Sequence, residues 1–213
     1  MSTSSDDRFL VTTYSRLAVI YDAWTWMTER KSLLVALSGA AVRDGEAVLE
    51  VAVGTGLVFR EVLLRNPSGR NVGIDITEAM LRRARRKATG TGVPFALEVG
   101  DARTLTFQDS AFDLVLSSNM FGLLPRKDIG TVLAEMLRVL RPGGRLVLVT
   151  MTCPDQRLPG WIYSLGAKRL GGWSDLQLEP FVHAAGFAKV QREVVKQLGV
   201  PSEILVAQKP LAS

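Results

Sequence analysis

The chain has 213 residues, of which 47% are apolar and 22% charged, and its formal net charge is +5. These values are typical of a single globular domain, and they exclude a mostly disordered chain and a coiled-coil rod. With one cysteine and one histidine, the sequence excludes an intramolecular disulfide and a cysteine-based zinc site, so we predict no metal.

The N-terminal region predicts a helical lid. Apolar side chains recur at helical spacing between Leu17 and Leu37, which favours one or two helices. We therefore divide the chain into a lid over residues 1–40 and a core domain over residues 41–213. The start of the chain is polar and acidic, unlike a secretory signal, and we expect a cytoplasmic protein.

Short apolar runs alternate with amphipathic segments between residues 47 and 150. The predicted strands are residues 47–53, 71–76, 95–99, 112–117 and 145–150. This alternation favours a parallel sheet with helices on both faces. Two later runs, residues 189–195 and 204–208, predict an antiparallel edge. The sequence thus predicts an α/β fold, a Rossmann-like doubly wound sheet of seven strands, mostly parallel with an antiparallel edge strand.

The helix predicted after the second strand is strongly basic. Thr77 precedes this helix, and we expect its hydroxyl to cap the first turn. Apolar residues such as Met80 and Leu81 are predicted to face inward and the basic residues outward. The basic residues are Arg82, Arg83, Arg85, Arg86 and Lys87. Such a run is either a solvated helix face or a contact surface for an anionic partner, nucleic acid or lipid.

A glycine turn, Gly54-Thr55-Gly56, follows the first predicted strand. At the carboxyl ends of parallel strands, glycines let the backbone approach a ligand closely. Asp75 ends the second strand, where a carboxylate accepts hydrogen bonds from ribose hydroxyls. Asp101 ends the third strand, where a carboxylate can face an exocyclic amine. Together with Glu50, these features predict a pocket for an adenosyl group.

Other interpretations of this turn fit the sequence less well. A tight turn with acids that only cap helices does not account for all three acids. A dinucleotide-binding fingerprint has a third glycine at the position of Phe59. A phosphate-binding loop needs a Gly-Lys-Ser/Thr segment, which does not follow Gly56. The adenosyl pocket is therefore the favoured interpretation.

Five segments, in order along the chain, resemble motifs of the class I S-adenosylmethionine-dependent methyltransferases. They are residues 48–56 (VLEVAVGTG), 73–76 (GIDI), 100–102 (GDA), 112–118 (FDLVLSS) and 137–144 (LRVLRPGG). The resemblance is greatest to the quinone and phospholipid methyltransferase branch, because of Tyr21 and Asp22 before the core and the Gly-Thr-Gly turn. Ala52 departs from the commonest form of the first motif, which has glycine there.

The resemblance implies S-adenosyl-L-methionine as the cofactor and a set of contacts to it. The implied contacts are Glu50, Gly54, Thr55, Gly56, Asp75, Ile76, Met80, Asp101, Ala102, Ser117 and Ser118. In this assignment the glycine turn and Glu50 face the methionine part, Asp75 the ribose, and Asp101 the adenine. The two serines lie at the mouth of the fourth strand. Met80 either covers the adenine or belongs to the core.

The acceptor is predicted to be apolar or amphiphilic, with a phospholipid headgroup amine or a quinone-like ring as the leading candidates. This prediction depends on apolar and aromatic side chains in the lid, after the fourth strand and in a proposed acceptor loop over residues 154–173. They are Trp24, Trp26, Met27, Met120, Phe121, Leu123, Trp161, Tyr163 and Trp173. Tyr21 is the candidate catalytic residue, which orients the acceptor or bonds the cofactor carboxylate, or else it is a packed aromatic residue.

Three alternatives stay open at this point. A nucleic-acid methyltransferase is disfavoured, because residues 118–121 (SNMF) replace the proline-containing motif of base-methylating enzymes. A soluble aromatic metabolite is a second acceptor class, and a non-enzymatic module that kept the cofactor fold is the third alternative. The basic residues and the interfacial aromatic residues also predict peripheral contact with an anionic membrane on its inner face.

Overall fold

The computed structural model describes residues 31–151, 176–197 and 200–211. Seven strands form one sheet in the order β3-β2-β1-β4-β5-β7-β6. Their bounds are β1 (Ala47–Val51), β2 (Arg70–Asp75), β3 (Ala96–Val99), β4 (Phe112–Ser118), β5 (Leu140–Met151), β6 (Ala188–Gln197) and β7 (Val200–Gln208). The predicted fold class is confirmed.

The sheet is parallel from β3 through β5, and β7 runs antiparallel to both of its neighbours. After β5 the chain first forms the edge strand β6 and then turns back, so that β7 lies between β5 and β6. The edge strand β6 is therefore parallel to β5. The antiparallel strand stands next to the edge of the sheet.

The described helices are α1 (residues 31–40), α2 (Leu57–Arg65), α3 (Glu78–Thr89), α4 (Ile129–Val139) and α5 (Glu179–Ala184). In α4 the apolar residues recur at helical spacing, and Ile129, Val132, Leu133 and Met136 are all fully buried. This periodicity is the reason that the sequence predicts the helix correctly. None of the helices among the described residues is long and apolar enough to cross a bilayer.

Both faces of the sheet are covered by helices. Leu146 and Leu148 of β5 belong to the core cluster that contains α4 and α5. Val147 and Val149, which alternate with them, belong to the cluster that contains α1. This alternation follows from the period of two along a strand, and burial on both faces is typical of a doubly wound sheet.

Of the predicted lid, the structure describes only residues 31–40. In this segment Ala36, Leu37 and Ala40 are buried in the same cluster as Val147 and Val149, so it packs on the sheet. Ordering of the lid over a cofactor stays a prediction. The following residues, named above for the acceptor, lie outside the described residues: Tyr21, Trp24, Trp26, Met27, Trp161, Tyr163 and Trp173.

The connection from β3 to β4 is tied to α4. Arg138 donates hydrogen bonds to the carbonyl oxygens of Leu105 and Phe107, each at 2.8 Å. Glu135 accepts a bond from the amide of Leu105 at 2.8 Å. The hydrogen bonds from Arg138 are the main reason that the pKa of Glu135 is lowered. The loop that begins at Asp101 is therefore held on the α4 side of the sheet.

Candidate functional site

The carboxyl ends of β1, β2 and β3 meet at one edge of the sheet. Glu50 of β1 lies opposite Gly73 of β2 and Leu116 of β4. Asp75 ends β2, and its carbonyl accepts a hydrogen bond from the amide of Gly100 at 3.1 Å. The structure thus brings the predicted glycine turn and the strand-end acids to one place, as expected for parallel strands.

The two glycines of the turn are needed for different reasons. Gly54 has φ +53°, and a Cβ built on it has no heavy atom of the described residues within 4 Å, apart from its neighbours in the chain. Gly56 has φ +81°, and its Cβ would stand 2.7 Å from the Cα of Ala84 in α3. Gly56 therefore allows α2 and α3 to pack closely, whereas Gly54 faces open space at the sheet edge. Ala52 also has a left-handed φ, +60°, at the position where the commonest motif has glycine.

Asp75 organises the turn through hydrogen bonds. Its Oδ2 accepts from the amide of Gly54 and its Oδ1 from the amide of Thr77, both at 2.8 Å. Thr77 does stand at the N-cap of α3, but its hydroxyl makes no capping bond, so that prediction was wrong. The side chain of Thr77 is instead hydrogen-bonded to Asp75, because Asp75 lies two residues away and offers a charged acceptor.

Two buried carboxylates lie close together at the bottom of this edge. Glu50 is 2% exposed, and among the described residues its Oε2 has no hydrogen-bond partner. Burial raises the pKa of Glu50 well above its usual range, and the nearby charge of Asp75 adds to this. Burial also raises the pKa of Asp75, although hydrogen bonds from Thr77 and Gly54 oppose the effect. A cation placed here would compensate both carboxylates.

Asp101, at the end of β3, is not a free carboxylate. Arg103 donates from Nη2 to Oδ2 at 2.8 Å, and its Nε lies 3.0 Å from both carboxylate oxygens. Burial raises the pKa of Asp101, but the hydrogen bonds from Arg103 outweigh it, and the pKa lies below its ordinary value. Ala102 is half-buried and packs against the core cluster of α4.

The other implied contacts are distributed around the same edge. Ile76 is 44% exposed, which leaves an apolar surface beside Asp75. Met80 is buried on α3, so neither of its two interpretations is excluded. Ser117 is buried at the end of β4, and its hydroxyl has no hydrogen-bond partner in the part of the chain that the structure describes, whereas Ser118 is half-buried.

The basic residues of α3 divide into two groups. Arg82 and Arg86 are exposed, as predicted. Lys87 instead donates from Nζ to the hydroxyl of Thr55 at 3.1 Å, and Arg85 donates to the carbonyl of Leu97 at 3.1 Å. Arg85 is nevertheless exposed, so the predicted outward face is confirmed for it, whereas Lys87 is half-buried because its long side chain reaches back to the glycine turn.

Comparison with known proteins supports the predicted family for part of the chain. Residues 48–144 match the family described as "methyltransferase domain", and this range contains the glycine turn, Asp75 and Asp101. The chain contains a class I S-adenosylmethionine-dependent methyltransferase domain. The predicted family and cofactor class are thereby confirmed.

A curated relative of this methyltransferase domain is the ubiquinone/menaquinone biosynthesis C-methyltransferase UbiE of Geobacter sulfurreducens. The two sequences are 39% identical over 126 residues, which cover 57% of this chain and 48% of that protein. The chain thus spans about half the length of the curated relatives it matches.

Solved structures show the same fold at low sequence identity. One is phosphoethanolamine N-methyltransferase 2 of Haemonchus contortus, in complex with S-adenosylhomocysteine. Its TM-score is 0.79 at 17% identity, over 98% of this chain and 61% of that chain. Another is the [4+2]-cyclase SpnF, with a TM-score of 0.78 at 17% identity, over 100% of this chain and 98% of that chain. A shared fold therefore does not decide which reaction is catalysed.

The residues of the methyltransferase domain fit S-adenosylmethionine on two observations. The space in front of Gly54 is open, as close approach of a ligand to the backbone requires. The unpartnered Oε2 of Glu50 needs a hydrogen-bond donor, and the α-ammonium group of the cofactor is one.

Sequence reasoning missed three polar partners of the site: Thr77 on Asp75, Lys87 on Thr55 and Arg103 on Asp101. The spacing of two residues between Asp101 and Arg103 is a signal for a local ion pair, and so is the Asp-x-Thr spacing before α3. Lys87 and Thr55 are 32 residues apart. No local pattern indicates that contact.

Proposed function

We propose that this chain is an S-adenosylmethionine-dependent methyltransferase that acts on a quinone-like ring. The observation that carries the cofactor site is the bond from the amide of Gly54 to Asp75, because it joins the open glycine turn to a strand-end carboxylate. In this proposal Asp75 accepts hydrogen bonds from the ribose hydroxyls, Glu50 accepts from the α-ammonium group, and Asp101 accepts from the adenine amine.

The chemistry places few demands on acid–base groups. The cofactor, when bound, would supply a methyl group on a sulfonium. A ring carbon of the acceptor would bond to the methyl carbon in line as the sulfur–methyl bond breaks, S-adenosylhomocysteine would be the leaving group, and the methylated ring carbon would then lose its proton. The protein's contribution is to position the two reactants in a site that excludes water, which can supply roughly 7–11 kcal/mol. Ser117 and Ser118, at the end of β4, are proposed at the mouth of this site. Tyr21, outside the described residues, stays the candidate for orienting the acceptor.

The quinone-like acceptor is supported by the names of the relatives. UbiE of Geobacter sulfurreducens and the demethylmenaquinone methyltransferase of Deinococcus radiodurans are each 39% identical to the matched part of this chain. The segment proposed to contact the acceptor, residues 154–173, lies outside the described residues. A phospholipid headgroup amine is the second candidate that the acceptor test must separate from a quinol.

Asp75→Asn tests the cofactor site. Two hydrogen bonds to a charged acceptor are weakened, so the affinity for S-adenosylhomocysteine should fall by about 10- to 100-fold, measured by titration calorimetry. Glu98→Gln is the matched control, because Glu98 is an exposed acid on β3 and should leave the affinity unchanged. Unchanged affinity in Asp75→Asn, or no binding by the wild-type protein, would contradict the proposed site.

The acceptor is tested with labelled cofactor and a panel of possible substrates. The panel contains demethylated quinols, phosphatidylethanolamine, catechol-like metabolites and RNA, and mass spectrometry locates the transferred methyl group. We expect a new carbon–methyl bond on the quinol ring. Methylation of the lipid amine or of RNA with an unmodified quinol would overturn this acceptor while leaving the cofactor site intact.

A lipid-soluble acceptor would be reached at a membrane surface, and we propose that α3 contacts anionic lipid there. Support comes from Arg82 and Arg86, which are exposed. Each basic residue near such a surface contributes about 1 kcal/mol, so Arg82→Gln/Arg86→Gln should weaken binding to phosphatidylserine vesicles by about 30-fold. Flotation at low and high salt measures this.

The matched control for this surface is Arg60→Gln/Arg65→Gln. Both arginines are exposed but form ion pairs with Glu61, so their removal should change vesicle binding much less. Equal effects of the two double variants, or no flotation of the wild-type protein at low salt, would remove the membrane proposal.

A further inference from the structure

Arg103 holds Asp101 from two directions. Its guanidinium group donates to both carboxylate oxygens, with Nε at 3.0 Å from each and Nη2 at 2.8 Å from Oδ2. Its backbone amide donates to Oδ1 at 2.9 Å. A planar guanidinium with several fixed donors orients a carboxylate more strictly than an ammonium group does.

Arg103 also reaches across the cleft edge. Its Nη1 lies 3.4 Å from Oδ2 of Asp128, which immediately precedes α4. The side chains of Arg103 and Asp101 are 32% and 28% exposed, and that of Asp128 is 19% exposed. The arginine therefore links the loop that follows β3 to the loop that follows β4, and it has a second anchor that keeps it in place beside Asp101.

The state of Asp101 determines which base it can recognise. An ionised carboxylate is only an acceptor, whereas a protonated one is also a donor. A purine with an exocyclic amine offers a donor to this carboxylate. A purine with a carbonyl at the same position offers an acceptor, and two facing acceptors repel each other, which is how polar sites reject close analogues.

We propose that Arg103 is a positioning residue that keeps Asp101 a fixed hydrogen-bond acceptor, and that it thereby selects an adenine over a 6-oxopurine in the cofactor site. This inference rests on the proposed function, in which Asp101 faces the adenine amine. The low pKa of Asp101, which results from the hydrogen bonds of Arg103 against the effect of burial, agrees with it.

The test compares the affinities of S-adenosylhomocysteine and S-inosylhomocysteine by titration calorimetry. The wild-type protein should prefer the adenosyl compound by more than tenfold. In Arg103→Gln the adenosyl affinity should fall by about tenfold and the preference should narrow, because the carboxylate loses its orientation. Arg103→Lys keeps the charge without the planar guanidinium group, so its affinity for S-adenosylhomocysteine should lie between those of the wild-type protein and Arg103→Gln. Asp128→Asn should reduce this affinity less than Arg103→Gln does.

Two further variants separate the possible failures. Asp101→Asn should narrow or invert the preference, because the amide can donate to a 6-oxo group. If Asp101→Asn leaves the preference unchanged, the proposed adenine contact fails. If Asp101→Asn narrows the preference for S-adenosylhomocysteine and Arg103→Gln does not, the proposed role of Arg103 is overturned while the adenine contact of Asp101 stands. Arg60→Gln is the control, and a thermal melt of each variant verifies folding; if Arg103→Gln does not fold, the Arg103→Lys titration decides.

Discussion

Two buried glutamates, in different halves of the sheet, have opposite surroundings. Glu203 of β7 is 0% exposed, and its carboxylate accepts from Nε of Arg192 at 2.6 Å and from the amide of Leu178 at 3.1 Å. Glu50 of β1 is 2% exposed, and its Oε2 has no hydrogen-bond partner among the described residues. A buried carboxylate is costly unless it is paired, so the described part of the fold stabilises Glu203, whereas we propose that a ligand compensates Glu50.

The different surroundings of Glu203 and Glu50 show where a buried carboxylate stabilises this fold and where it does not. In the β5–β7–β6 half, the carboxylate of Glu203 binds the amide of Leu178 and the side chain of Arg192. It thereby joins the segment before α5 to the sheet and stabilises the fold. In the β1–β2–β3 half, burial and the nearby charge of Asp75 raise the pKa of Glu50, so its ionised form reduces the stability of the folded protein unless a cation or a hydrogen-bond donor compensates it. Substitutions that remove the partners of Glu203 should therefore reduce stability, whereas substitution of Glu50 should mainly reduce binding.

The largest expected effect is that of Arg192→Met. It leaves the carboxylate of Glu203 buried without its counter-charge, which should lower the free energy of unfolding by about 3–5 kcal/mol, measured by urea denaturation. Glu179→Gln is the control, since Glu179 lies 3.8 Å from Arg192 and is partly exposed. A second change, Glu203→Gln, should restore part of the loss, and no recovery would contradict the assigned pairing.

Gly56→Ala and Gly54→Ala test the comparison inside one turn. Gly56→Ala places a methyl group against the backbone of α3 and puts a residue with a side chain at a left-handed φ. The free energy of unfolding should therefore fall by about 2–4 kcal/mol. Gly54→Ala has room for the methyl group and should cost only about 1–2 kcal/mol, yet it should weaken S-adenosylhomocysteine binding. Equal losses of unfolding free energy, measured by urea denaturation, would contradict the distinction between a glycine needed for packing and a glycine that faces open space.

Glu50→Gln should have opposite effects on stability and on binding. Because burial raises the pKa of Glu50, the folded state binds the proton more tightly than the unfolded state. Stability therefore falls as the pH rises from the ordinary glutamate pKa toward the raised one. Glu50→Gln has no carboxylate to ionise and does not suffer this loss. The melting temperature of the variant minus that of the wild-type protein should therefore increase between pH 4 and pH 8.

The same variant should bind S-adenosylhomocysteine about tenfold or more weakly, because a charge-assisted bond to the ammonium group is lost. Calorimetry and thermal melts on the same preparations measure both effects. A variant that is less stable than wild type at pH 8 would show that the Glu50 carboxylate already has a stabilising partner, and the comparison with Glu203 would fail.

The smallest effect is expected for Ala52→Gly. Ala52 has φ +60°, a region that costs a residue with a side chain about 1–2 kcal/mol, and the higher chain entropy of glycine in the unfolded state offsets part of the relief. The net gain in unfolding free energy should be about 0.5–1 kcal/mol. A loss of stability would indicate that the methyl group of Ala52 makes a packing contact worth more than the strain.

The elements of the domain were largely predictable because their signals are local. The helical periodicity of α4, the glycine turn after β1 and the acid at the end of β2 each depend on residues a few positions apart. Parallel connectivity then places strand ends together, which is why Gly54 and Asp75 were expected at one site and are joined by a hydrogen bond.

What only the tertiary structure decided are contacts between residues far apart in the chain. The insertion of β7 between β5 and β6, the anchoring of Lys87 on Thr55 across 32 positions and the pairing of Arg192 with Glu203 have no local pattern. A side chain's partner depends on which elements pack beside it. The sequence by itself therefore determined the fold class, the glycine turn and its acids, and packing decided which of the two buried glutamates has hydrogen-bond partners among the described residues.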